Sequence, residues 1–98
     1  MTQREAVTPF DDKIVNFMAR HGAERVGVFG SYARGEAGPD SDLDLIVWFS
    51  EQKSLLGLIR IERELSELLG IKIDLLTEGA ISPYLIDRIK RELKVIAQ

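Results

Sequence analysis

The sequence contains no cysteine, few prolines and no long apolar run. Without cysteine the chain can form neither disulfides nor thiolate zinc sites, which fits a reducing cytoplasm. The apolar stretches are far shorter than the roughly 20 residues of a membrane-spanning helix, and the first residues lack the pattern of a signal peptide. An excess of basic residues is also absent, since 13 basic against 16 acidic residues give a net charge of −3. We therefore expect a cytoplasmic domain that binds neither membranes nor nucleic acid directly.

The length of 98 residues predicts a single domain over 1–98, with residues 1–8 as a loose N-terminal tail. Its 45% apolar and 30% charged residues are ordinary for a globular protein. A chain of this size buries only a little over ~60% of its unfolded surface, so a partner that adds burial would stabilise it.

Helix and strand signals alternate along the chain. Three segments have the apolar pattern of β-strands: Arg25–Phe29, Asp42–Phe49 and Ile71–Leu76. Three helices are predicted from cap residues and helical spacing: one from Thr8-Pro9 to Gly22, one from Ser54 to Leu69, and one beginning at Ser82-Pro83. Val95-Ile96 either closes the last helix or adds an edge strand. This order predicts an α/β (α+β) fold in which helices flank a small mixed sheet.

A pair of carboxylates lies at the start of the second predicted strand. Asp42 and Asp44 are two positions apart, so they project from the same side of a strand with α-carbons roughly 6.5–7 Å apart. Carboxylates held this close repel each other unless a cation lies between them, and magnesium prefers such oxygen ligands. Asp74, on the polar side of the next predicted strand, would complete a site for two ions about 3.5–4 Å apart.

A glycine–serine step precedes the carboxylates. Gly30 directly follows a predicted strand and opens a short helical turn, so backbone N–H groups around Ser31 can point at a phosphate. The Ser31 hydroxyl and the Arg34 guanidinium would add further donors. Taken alone, a glycine–serine step is typical of an ordinary turn, and Arg34 is equally well explained as a solvated side chain. Together with the carboxylates, the loop indicates a site for a nucleoside triphosphate with magnesium.

The spacing of these residues resembles that of the minimal nucleotidyltransferases, a family within the polymerase-beta-like nucleotidyltransferase superfamily. The family pattern of Gly-Ser, ten residues and Asp-x-Asp is present as Gly30-Ser31 and Asp42-Leu43-Asp44, with Asp74 as the later acidic residue. The resemblance implies a polymerase-beta-like fold and transfer of a nucleoside monophosphate from an NTP, with release of pyrophosphate. It also implies that Asp42 and Asp44 bind two magnesium ions, and that Asp74 binds the catalytic ion and helps to deprotonate the acceptor hydroxyl.

The resemblance further implies a biological role. Small members of the family are usually antitoxins beside a HEPN-domain ribonuclease toxin, and characterised examples transfer AMP from ATP to a tyrosine of that toxin. The alternative is a non-catalytic antitoxin that neutralises its toxin by binding. An antibiotic-modifying enzyme is disfavoured because the 98 residues include no second domain for the acceptor. A templated polymerase is disfavoured by the acidic charge balance.

Overall fold

A four-stranded sheet forms the centre of the computed structural model, which describes residues 6–98. The strands are β1 (Ala23–Phe29), β2 (Leu43–Phe49), β3 (Ile73–Leu76) and β4 (Lys94–Ala97). The helices are α1 (Asp11–Arg20), α2 (Gly30–Ala33), α3 (Leu55–Leu69) and α4 (Pro83–Glu92), with a 3-10 helix at Glu78–Ala80. The sheet order is β3-β2-β1-β4, in which only β2 and β3 of these strands pair in parallel. The prediction of a mixed sheet flanked by helices is confirmed.

The N-terminal segment differs from its prediction. Helix α1 begins at Asp11 rather than Pro9. The Asp11 carboxylate accepts hydrogen bonds from the backbone N–H of Val7 (2.8 Å) and from both the backbone N–H (2.9 Å) and the hydroxyl (2.7 Å) of Thr8. Thr8 is only 4% exposed. The prediction of a loose tail is therefore wrong for Val7 and Thr8, while residues 1–5 lie outside the described part of the chain.

Helix α3 begins and ends, and α4 begins, at the residues that the sequence indicates. The Ser54 hydroxyl accepts a hydrogen bond from the Gly57 N–H (3.0 Å), and the Ser82 hydroxyl accepts one from the Tyr84 N–H (3.3 Å). Gly70 ends α3 with a left-handed φ of 71°, which glycine adopts without steric cost. These side-chain and glycine caps satisfy terminal backbone groups that would otherwise lack partners.

Strands β2 and β3 start later than predicted, whereas β1 starts earlier, at Ala23 rather than Arg25. Strand β2 begins at Leu43 and β3 at Ile73, so Asp42 lies just outside its strand. Val95 and Ile96 belong to the edge strand β4, which pairs with β1. At the opposite edge, the N–H of Leu75 in β3 donates to the Glu62 carboxylate of α3 (2.8 Å), and this bond covers part of the edge.

The two faces of the sheet have different partners. One face, which we call the core face, carries every second residue of the strands and packs against α1 and α3. The buried cluster between them includes Val26, Val28, Leu43, Leu45, Val47 and Ile73 from the strands, and Ile14, Met18, Ile61 and Leu65 from the helices. The opposite face, which we call the site face, carries the residues between them, among which are Gly27, Asp44 and Asp74. Leu93, directly after α4, lies over this face, since a Cβ on Gly27 would come within 2.2 Å of its Cδ1. Among residues 6–98, no helix has the length and apolarity needed to cross a membrane.

Candidate nucleotide and metal site

Two of the predicted metal ligands are neighbours across the parallel strand pair. Asp44 of β2 lies directly opposite Asp74 of β3. Adjacent strands are about 4.8 Å apart, and residues in register project to the same side of a sheet. Helix α3 makes the crossover that a parallel connection requires. The topology therefore brings together two carboxylates that are far apart in sequence.

The charge environment of Asp44 is unfavourable for its ionised form. Burial raises the pKa of Asp44 to about 6, and the charge and hydrogen bond of Asp74 and the charge of Asp42 add to this effect, against a smaller opposing contribution from Arg34. A half-buried carboxyl group beside two others is typical of a position that a divalent cation stabilises. The donor set at Asp44 and Asp74 therefore fits magnesium, which prefers carboxylate oxygens and retains waters.

Asp42 has a basic neighbour. Its Oδ2 lies 3.6 Å from the Nζ of Lys72, the residue before β3. Within residues 6–98, no group of three or more His, Cys, Asp or Glu side chains converges closely enough to enclose a metal ion. Asp44 thus faces Asp74, and Asp42 lies close enough for its charge to raise the pKa of Asp44. Because the three carboxylates do not enclose a common position, the binding of two ions stays a prediction.

The glycine–serine loop lies against the Asp44 carboxylate. Gly30 has a φ of 73°, and a Cβ added there would lie 2.1 Å from Oδ2 of Asp44. Phe29, the residue before it, pairs with Asp44 across β1 and β2. Only glycine allows both this backbone conformation and this approach. A phosphate held by the loop would therefore lie beside a cation held by the carboxylates.

The loop donors have an internal partner that the sequence did not indicate. The N–H of Gly30 donates to Oε2 of Glu92 (3.2 Å), and Nη1 of Arg34 donates to Oε1 of the same carboxylate (3.1 Å). The Nε of Arg34 donates to Glu36 (2.9 Å), and this hydrogen bond is the main reason that the pKa of Arg34 is raised. Glu92 was missed because it lies 62 positions from Gly30, and a local pattern carries no signal for such a contact.

A cavity of about 460 Å³ opens between the loop and α4. Its volume is within the range of ordinary small-molecule sites. Of the six predicted site residues, the lining found among residues 6–98 includes Gly30, Ser31, Arg34 and Asp44 but omits Asp42 and Asp74. The remaining wall comes from Phe29, Leu76, Leu85, Arg88, Ile89 and Glu92. Larger cavities next to Trp48 (about 560 Å³) and α1 (about 750 Å³) are lined by other residues.

Sequence comparisons relate the chain to known nucleotidyltransferases. A family model for the nucleotidyltransferase domain matches residues 11–96. MJ0435 of Methanocaldococcus jannaschii, a candidate protein adenylyltransferase, is 49% identical over 80 residues, which cover 82% of this chain and 86% of MJ0435. The protein adenylyltransferase MntA of Thermococcus cleftensis is 43% identical over 74 residues, which cover 76% of this chain and 75% of MntA.

Solved structures share the fold. A candidate minimal nucleotidyltransferase matches with a TM-score of 0.74 and 45% identity, over 86% of each chain. A chain from the complex of a tri-AMPylated Shewanella oneidensis HEPN toxin with MNT antitoxin matches with a TM-score of 0.75 and 17% identity, over 93% of this chain and 71% of that one. The second likeness concerns the fold alone. The predicted polymerase-beta-like fold is confirmed, and the chain belongs to the nucleotidyltransferase domain family, among the minimal nucleotidyltransferases related to protein adenylyltransferases.

Proposed function

We propose that this protein is a magnesium-dependent adenylyltransferase that transfers AMP from ATP to a tyrosine hydroxyl of a HEPN ribonuclease toxin, and so acts as a cytoplasmic antitoxin. The observation that carries the proposal is the contact of Gly30 with Asp44, which stands opposite Asp74. This contact supports the proposal because it brings the proposed phosphate loop next to the proposed metal ligands. The names of the related adenylyltransferases support AMP as the transferred group.

Each site residue has a proposed part in the transfer. The backbone N–H groups at Gly30 and Ser31 hold phosphate oxygens, and Arg34 adds its guanidinium once its carboxylate partners release it. Asp42, Asp44 and Asp74 would hold two magnesium ions, which when bound supply charge neutralisation at the phosphates and activation of the acceptor hydroxyl. Asp74, the exposed member of the facing pair, accepts the hydroxyl proton.

The proposed reaction is an in-line displacement at the α-phosphorus. The tyrosine oxygen forms a new bond to phosphorus, and the bond between the α-phosphorus and the bridging oxygen breaks. Pyrophosphate leaves with that electron pair, while the hydroxyl proton goes to the Asp74 carboxylate. The HEPN toxin as acceptor is supported by the complex of an AMPylated HEPN toxin with an antitoxin of the same fold.

Neutralisation by binding alone is the second candidate function. It is favoured by one observation, namely that Asp42 pairs with Lys72 and the three aspartates do not converge among the described residues. In that case the domain would cover its toxin without turning over nucleotide. The two functions differ in whether a covalent AMP group appears on the partner.

A transfer assay separates the two functions. The protein is incubated with labelled ATP, magnesium and a HEPN protein encoded beside it, and the partner is examined by mass spectrometry for AMP on tyrosine. Asp42→Asn with Asp44→Asn should lower transfer by at least about 100-fold. Asp40→Asn, the same change at an exposed position of the same loop, should leave it unaltered. Inhibition of the partner without any label would contradict the catalytic proposal.

A further inference from the structure

Glu92 binds the same donors that the proposed function assigns to phosphate. One of its carboxylate oxygens accepts from the Gly30 N–H (3.2 Å), and the other accepts from Arg34 (3.1 Å). An anionic phosphate is recognised by this same combination of a backbone N–H and a guanidinium. A phosphate at Gly30 and the carboxylate of Glu92 therefore compete for one position.

The surroundings of Glu92 make this contact more than an incidental surface pair. Its side chain is only 21% exposed, whereas that of Glu36, the other carboxylate on Arg34, is 65% exposed. The Nε of Arg88 lies 3.9 Å from Oε1 of Glu92 and adds a second positive charge. The hydrogen bond from the Gly30 N–H is partly buried, and a hydrogen bond to a charged group stabilises a structure more than a neutral one does. The bond from Arg34 is exposed and contributes less.

Helix α4, which ends at Glu92, has few apolar contacts. Along α4, all of which the structure describes, Ile89 alone is buried. Tyr84 and Leu85 near its start are 93% and 50% exposed. Ile86 is partly buried, and charged groups make further contacts, namely those of Glu92 and a 3.9 Å pair between Lys90 and Glu78. An element with so little buried apolar surface opens at a lower free-energy cost than the core.

We propose that Glu92 is an autoinhibitory residue whose carboxylate occupies the phosphate position of the glycine–serine loop, so that a nucleoside triphosphate binds only after displacing it. The inference rests on the proposed function in one respect, because it takes Gly30 and Arg34 as the phosphate donors. A molecule in which Glu92 occupies the phosphate position is closed and does not bind nucleotide, and a molecule in which Glu92 has left that position is open. The measured dissociation constant is therefore larger than the intrinsic one by the inverse of the open fraction.

Matched charge removals test the inference. Glu92→Gln weakens the internal contact, and Glu92→Ala removes it. Glu36→Gln removes the charge of the other partner of Arg34 without altering the Gly30 contact. Binding of the ATP analogue AMP-PNP with magnesium is measured by calorimetry. We expect both Glu92 variants to bind roughly tenfold more tightly than the wild type, and Glu36→Gln to differ by less than about twofold.

A measurement on the wild-type protein makes the test independent of how well the variants fold. In NMR spectra, AMP-PNP should shift both the Gly30 amide and the Glu92 side-chain carboxyl carbon as the nucleotide replaces Glu92. A shift of the Gly30 amide with an unmoved Glu92 carboxyl signal would contradict displacement. The Glu92 variants should also show a shifted Gly30 amide before any nucleotide is added.

The outcomes separate this inference from the proposed function. Unchanged or weaker binding by folded Glu92 variants, with normal binding and transfer by the wild type, would overturn autoinhibition and leave the adenylyltransferase standing. Glu92 would then position Gly30 and Arg34 rather than block them. If neither the wild type nor any Glu92 variant binds AMP-PNP, the nucleotide site is refuted, and the inference fails with it.

Discussion

The α-carbon of Gly30 lies so close to the Asp44 carboxylate that a Cβ there would come within 2.1 Å of Oδ2 and 3.1 Å of Cγ. The backbone of the proposed phosphate loop therefore touches the proposed metal ligand directly. A displacement of either residue moves the other. Glycine is needed here for two reasons: a side chain would collide with the Asp44 carboxylate, and the backbone has a positive φ.

Gly30→Ala should abolish adenylyl transfer. Alanine costs about 1–2 kcal/mol in the left-handed region, and its methyl group also pushes the Asp44 carboxylate away. We expect transfer to fall by at least about 100-fold, since small displacements of catalytic groups have effects of that size. Gly35→Ala is the matched control. Gly35 has the same φ of 73°, but among residues 6–98 no atom outside its chain neighbours lies within 4 Å of an added Cβ. Equal activity of the two variants would contradict the proposed contact.

Asp44→Asn should stabilise the metal-free fold at neutral pH. The folded-state pKa of about 6 lies above the ordinary value of 3.8, so folding favours the protonated carboxyl. Stability from this group is complete below about pH 4 and is lost as pH rises through about 6. After discounting for solvent screening, we expect the variant to gain about 1 kcal/mol at pH 7.5, or a few degrees in Tm.

Thermal unfolding in EDTA at several pH values checks this prediction. The difference between Asp44→Asn and wild type should shrink to nearly zero at pH 4, where both carry a neutral side chain at this position. Magnesium should stabilise the wild type at pH 7.5 and affect the variant less. A variant that is less stable than wild type at pH 7.5 in EDTA would show that the Asp44 charge is already compensated.

Asp74→Asn should lower the pKa of Asp44. Asp74 raises that pKa through its negative charge and its hydrogen bond, and asparagine removes the charge. The carboxyl carbon of Asp44 should therefore titrate closer to its ordinary value in an NMR pH series without metal. Asp87→Asn, a change at an exposed position of α4, is the control and should leave this titration unaltered. An unshifted Asp44 in the Asp74 variant would mean that the two carboxylates do not interact.

Local signals predicted much of the fold. Ser54, Gly70 and Ser82 act within a few residues of their own positions, so the bounds of α3 and the start of α4 follow from the sequence. The Thr8-x-x-Asp11 spacing resembles a capping arrangement and could have indicated the contact between these residues, but Pro9 suggested an earlier helix start.

Long-range contacts set the limit of prediction at the site. The alternation within β2 places Asp44 on a face, and the next strand offers Asp74, but their register depends on which strands are neighbours in the sheet. The Glu92 contact depends on how α4 lies over the site face, and the apolar spacing of α4 does not encode a hydrogen bond to Gly30. The pairing of Asp42 with Lys72 likewise requires β3 beside β2.

The bond from the Leu75 N–H to Glu62 has a consequence for heat inactivation. Strand β3 has four residues and pairs with β2 on one side, so we expect it to detach before the rest of the sheet unpairs. Detachment removes Asp74 from Asp44. We expect enzyme activity to disappear several degrees below the global Tm, and Glu62→Gln to widen that interval, with faster hydrogen exchange at Leu75 as the direct evidence. The working temperature of the enzyme would then be set by one edge strand rather than by the core.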